Sequence, residues 1–189
     1  MSKYIQMKKT NLILTLLLLA LVVACGNGEK KAYLAEVDGM ISHLDSLKVV
    51  ADENVLDSLP YIIERVKKNT KRFAESYTID TINLEVGEVM NSYKDVRKVL
   101  SRNSGNLAKV RVSIPETLEK LEDLKSDISH GVGERDKYHE YILFEREKVR
   151  QMDTLLAIYL RTNKKYLDLY ETLNVKVGNY IVEQEGGQE

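Results

Sequence analysis

From about residue 30 onward the apolar positions of this chain recur at alternating spacings of four and three, the mark of helices that bury a narrow stripe. Tyr33, Val37, Met40, Leu44 and Leu47 open the pattern, and Val55, Leu59, Ile62, Val66 and Phe73 continue it in a shifted phase. Asp52-Glu53-Asn54 lies at the shift, and Pro60, which has no backbone donor, follows it, so the helix kinks or breaks near 52–60. The stretch 74–81 interrupts the pattern and supplies Thr78, Asp80 and Thr81 as N-caps, which places a turn there. The next seam starts at Ile82 and runs through Tyr93, Asn103, Ile114 and Leu121 to Ile128 without losing phase. It passes Asn103-Ser104-Gly105-Asn106 and Pro115, either of which could break a helix near 103–115. Separate helices have no reason to share a phase, which favours one continuous helix; Ser113-Ile114-Pro115-Glu116 reads as a competing capping box. Gly131 then provides a left-handed cap in a second turn at 129–133. A third seam runs from Ile142 through Glu145, Val149, Tyr159, Asn163 and Tyr170 to Tyr180.

These seams predict an all-α fold: an elongated, antiparallel, coiled-coil-like three-helix bundle with helices at 30–76, 81–129 and 133–183. Each helix would be about 70–75 Å long at 1.5 Å per residue. The bundle occupies 32–183, and the tail 184–189, with nothing to bury, is expected to fray.

The first 25 residues follow a different rule. Lys3, Lys8 and Lys9 precede an apolar run from Leu12 that closes on small residues at Cys25, the only cysteine. A basic start, a short apolar region and a small-residue cleavage site make a secretory signal peptide, here 1–24. As a helix the apolar run measures roughly 20 Å, short of the ~30 Å hydrocarbon core. Val22-Val23-Ala24-Cys25 resembles the lipobox of bacterial lipoproteins. The resemblance covers residues 1–25 alone, and implies cleavage after Ala24, diacylglycerol on the Cys25 thiol and an acyl chain on the new amino terminus. It further implies a cell-envelope location, and Gly26 after the cysteine, where an Asp is linked to inner-membrane retention, tilts this towards the outer membrane. Residues 25–31 would form a short tether, so the bundle would stand close to the bilayer.

Composition narrows the function classes. The first 24 residues hold three of the 28 basic residues and none of the 29 acids, so the rest carries a net charge of −4 spread in both signs. Without a basic stripe, nucleic acid is not an expected partner. One cysteine allows neither an intramolecular disulfide nor a cysteine metal cage. Asp136 and His139 share a helical face but lack the further ligands of a bundle metal site, so no metal and no cofactor beyond the covalent lipid is expected. No nucleophile motif, phosphate loop or dinucleotide fingerprint appears, and the chain reads as a non-enzyme.

Three asparagines stand out. Antiparallel pairing about the two turns sets Asn103 near Asn163 and near Asn54, which suggests a buried polar layer that fixes register. The plainer reading, which the pattern favours, leaves Asn54 in a loop and Asn103 solvated beside a glycine. Tyr77 and Ile79 are apolar residues in an otherwise polar turn, at the end far from the anchor. They would either plug the bundle or contact an envelope protein. The expected role is therefore a structural or protein-interaction lipoprotein, with homo-oligomers allowed. The alternative is a ligand-binding lipoprotein with a pocket between helices.

Overall fold

A computed structural model describes residues 2–77 and 83–186, with side chains from Gly28 onward. The side chains of Ala24 and Cys25, and all of Ile79, lie outside the described residues, as does the end of the tail from 187. The described chain is all-α: α1 (Ser2–Glu53), α2 (Leu59–Ser76), α3 (Leu84–His130), a single 3-10 turn at Arg135–Lys137 and α4 (Tyr138–Gly186). Among the described residues no helix is long and apolar enough to cross a membrane.

Four helices replace the three expected, because the segment 30–76 is two helices. Asn54 closes α1: its backbone N–H and its side-chain Nδ2 both donate to the Val50 carbonyl, at 3.2 and 2.8 Å. The chain then turns through Asp57 N to Val55 O at 3.1 Å and Leu59 N to Leu56 O at 3.0 Å. Pro60 enters α2 in its first turn, where its missing N–H would have no partner in any case. Inside a single helix the same proline would have left the carbonyl four residues before it unpaired.

No break occurs at 103–115. The helix α3 runs through Gly105 and Pro115, at a cost of about 3 kcal/mol for an interior proline. Its seam supplies the compensation: every third- or fourth-residue position from Tyr93 to Ile128 is buried, including Leu100, Val110, Ile114 and Leu121 at 1% exposure or less. Each fully buried Leu or Ile contributes about 1.5–3 kcal/mol. The Ser113 capping box therefore stays unused.

The chain packs as two compact units, one of residues 1–46 with 116–149 and one of 47–115 with 150–189. In the first, Val37 and Leu44 of α1, Leu121 and Ile128 of α3 and Ile142 of α4 are buried. Lys30 Nζ donates to the Ser129 carbonyl at 2.7 Å and Lys125 pairs with Asp38 at 2.7 Å, so α1 and α3 run in opposite directions here. Tyr33 lies by His139 and Glu36 pairs with Arg146, so α1 and α4 run in the same direction. Residues 28–31, expected as a tether, are helical within α1.

In the second unit, Ile62 and Val66 of α2 meet Tyr93, Val96 and Leu100 of α3 and Leu173, Val177 and Ile181 of α4 in one apolar cluster. The helix α4 continues to Gly186, two residues into the tail segment that begins at 184. Both Glu185 carboxylate oxygens accept from Arg72 Nη2 at 2.8 Å, which joins α2 to the last turn of α4. An exposed ion pair leaves no apolar mark in the sequence pattern.

Candidate functional site

The second unit concentrates its polar interior in two layers. The first contains two of the three asparagines singled out by their seam positions. Asn103 and Asn163 are 5% and 9% exposed, and Asn103 Nδ2 donates to Asn163 Oδ1 at 2.8 Å. The same nitrogen donates to the Tyr159 carbonyl at 2.9 Å, and Asn106 Nδ2 donates to Asn103 Oδ1 at 3.1 Å. The Asn54 side chain is exposed and stays with α1, so it is no member of the layer. Only its carbonyl takes part, accepting from the Tyr159 hydroxyl at 2.7 Å. The reason is the helix break: once α1 ends at Glu53, the Asn54 amide is needed as a local cap.

The second layer was not anticipated. Tyr93, 0% exposed, donates its hydroxyl to Asn174 Oδ1 at 2.7 Å. Asn69 Nδ2 donates to both Tyr93 Oη and Asn174 Oδ1, each at 3.2 Å. Burial pushes the Tyr93 hydroxyl up to about 12. Asn69 continues the run Ile62, Val66 and Phe73 at spacings of four and three, and that position was the signal for it. Asn174 lies one residue off its seam and had none.

Next to the first layer, the break between α1 and α2 opens a groove of about 210 Å³. Val55, Leu56, Leu59, Leu100 and Leu107 supply apolar lining, while Asn163, Tyr159 and Ser104 supply polar atoms. Arg111 stands at its edge, with Nε donating to Asp52 Oδ1 at 3.1 Å. Lys48 donates to the other oxygen of Asp52 at 3.0 Å. That hydrogen bond, with the Arg111 charge added, holds the Asp52 carboxyl below its ordinary value. An apolar wall with a few converging polar groups is the usual form of a small-molecule site. Its chemistry is apolar contact and hydrogen bonding: the lining holds no histidine or cysteine, and the Ser104 hydroxyl is donated to the Ser101 carbonyl at 2.8 Å.

Tyr77 caps α2, its ring 5.0 Å from that of Phe73 and its hydroxyl accepting from the Asn83 N–H at 3.3 Å. Asp136 and His139 are exposed, and among the described residues no group of three or more His, Cys, Asp or Glu could hold a metal ion. The chain matches no protein-family model, no curated protein and no solved structure.

Proposed function

We propose that the chain is a lipid-anchored cell-envelope lipoprotein whose helical part is a non-catalytic structural or protein-interaction module. The observation that carries this reading is the order of basic start, short apolar run and Val22-Val23-Ala24-Cys25. Residues 1–24 are the signal peptide, Cys25 bears the diacylglycerol and N-acyl chains, and the outer membrane is the host bilayer. Three acyl chains on one terminus provide the multiple signals that stable anchoring needs, at about 0.8 kcal/mol per buried methylene.

The helical part is read as an elongated antiparallel three-helix arrangement, with α1 and α2 together forming its first arm. In-phase seams and the 47-residue length of α3 support this. The mature chain should then give a radius of gyration of roughly 22 Å, against about 15 Å for a compact chain of this size. Tyr77 and Ile79 belong to the end far from the anchor and are the proposed contact with an envelope protein. Loss of the cross-linked partner on changing both to Ser would support that; an unchanged cross-link would sink it.

The decisive experiment is metabolic labelling with a palmitate analogue in a bacterial host. The wild type should take up label and shift in mobility, and Cys25→Ser should do neither. Equal labelling of both forms would end the lipoprotein reading. The groove at the α1–α2 break favours a second role, binding of a small, largely apolar ligand, which would appear as ligand-dependent stabilisation in a thermal screen.

A further inference from the structure

A cleft of about 410 Å³ lies in the first unit, beside the turn that joins α3 to α4. Lys30, Tyr33, His130 and Arg135 line it together with Ile128 and Glu29. The turn is built to hold these groups in place. Tyr138 is buried, and its hydroxyl is bonded to two turn carbonyls, Asp127 O at 2.9 Å and Val132 O. Gly131 adopts φ +64°, and a Cβ there would sit 3.1 to 3.4 Å from Nη2, Cζ and Nε of Arg135. The guanidinium thus lies against the glycine, close enough that a Cβ at 131 would push it aside by a few tenths of an ångström.

The charges facing the cleft are unequal in their commitments. Glu134, the acid next to Arg135, is held by Lys137 and by the Tyr141 hydroxyl, each at 2.7 Å. Among the described residues no carboxylate pairs with Arg135. The Lys30 ammonium is bonded to a neutral carbonyl, that of Ser129, and meets no carboxylate among the described residues. On the other side, the Glu29 carboxylate accepts from the Tyr33 hydroxyl at 2.9 Å and has no cationic partner among the described residues. Two cations and one carboxylate thus line one cleft without neutralising one another through direct pairing.

We infer that this cleft receives the zwitterionic headgroup of a phospholipid, a phosphodiester carrying a primary ammonium. Arg135 and Lys30 take the phosphate oxygens, the guanidinium offering a fork of donors matched to them. Glu29 takes the ammonium. The inference rests on the lipid anchor proposed above: Lys30 is five residues from Cys25, a span of at most about 17 Å even when fully extended. An anchored chain therefore holds the cleft within reach of the headgroups.

The test uses the full chain in non-ionic detergent, titrated with dihexanoyl-phosphatidylethanolamine and followed by native mass spectrometry. Parallel titrations use dihexanoyl-phosphatidylglycerol, inorganic phosphate and dihexanoylglycerol. One phosphatidylethanolamine should bind per chain, more tightly than any of the other three. Arg135→Gln should weaken it tenfold or more, and Glu29→Gln should remove the preference over phosphatidylglycerol. Arg161→Gln, an exposed change in the second unit, should leave binding as it was. Unaltered melting of Arg135→Gln would show that the turn is intact. Binding of dihexanoylglycerol as tight as that of the phospholipid, or no effect of Arg135→Gln, would overturn the site. Inorganic phosphate binding as tightly would overturn the lipid source. Acylation of Cys25 is read separately by labelling, so a chain that is not acylated yet binds the headgroup would refute the anchor and leave the cleft standing.

Discussion

The hydroxyl of Tyr159 donates to the backbone carbonyl of Asn54 at 2.7 Å, so a residue buried in α4 ties down the chain where α1 ends. The contact joins positions 105 apart in sequence and sits beside the groove at the helix break. It also links that break to the asparagine layer, because the Tyr159 carbonyl accepts from Asn103.

Tyr159→Phe keeps the ring and removes this bond alone. The expected cost is about 0.5–1.5 kcal/mol, since the exposed Asn54 carbonyl can turn to water instead. Amide exchange over 54–58 should accelerate while that of the α2 core at Ile62 and Val66 holds steady. Unchanged exchange at 54–58 would show that the hydroxyl does not restrain the break.

The asparagine layer makes a different prediction. Changing either Asn103 or Asn163 to Leu strands a buried amide and should cost about 1–3 kcal/mol. Changing both removes donor and acceptor together, so the double variant should be less destabilised than the sum of the singles. Urea melts of the four proteins complete the cycle, and strict additivity would mean that the 2.8 Å bond carries no coupling.

Tyr93 sets an alkaline limit on the second unit. Its hydroxyl, pushed up by burial to about 12, keeps its proton in the folded chain where the unfolded chain loses it near 10. Tyr170, whose ring stacks on that of Tyr93 with centroids 6.3 Å apart, is also raised by burial. The folded state then binds more protons than the unfolded state, so this stabilisation is complete below pH 10 and is lost as pH climbs towards 12. Tyr93→Phe should be less stable at neutral pH, through its lost bonds to Asn69 and Asn174, yet decline less steeply above pH 10. Parallel declines would contradict this.

Two glycines should respond to alanine with opposite sign. Gly105 is helical within α3, and a Cβ there would meet nothing within 4 Å, so Gly105→Ala should stabilise by about 0.5–1 kcal/mol. Gly131, at φ +64°, should lose about 1–2 kcal/mol from left-handed strain, with crowding against Arg135 added. Thermal melts of the two variants give the comparison directly.

Much of the helical order was legible in the residues. The seam from Tyr93 to Ile128 marked which face of α3 is buried, and its constant phase already favoured continuity past Gly105 and Pro115. Periodicity reports burial because each buried position repeats with the helical turn. The same pattern and the turn at 129–133 set Asn103 at the level of Asn163, yet favoured a solvated Asn103; its burial against Asn163 is the structure's correction.

What the pattern could not carry was settled by contacts distant in sequence. Whether residues 52–60 kink or break depended on where the Asn54 amide and carbonyl found partners, and the carbonyl found Tyr159. Asn174 was silent because its bonding depends on where Asn69 and Tyr93 arrive in space. Arg72 and Glu185 join α2 to α4 through an ion pair that no apolar spacing announces. The cleft beside Gly131 likewise needed Lys30 of α1 to arrive beside His130 and Arg135 at the α3–α4 turn. Sequence by itself determined the helices and their buried faces, since these follow from local periodicity and burial. Tertiary structure decided the polar layers, the break and the clefts, since a hydrogen bond or charge has no meaning until its partner is in place.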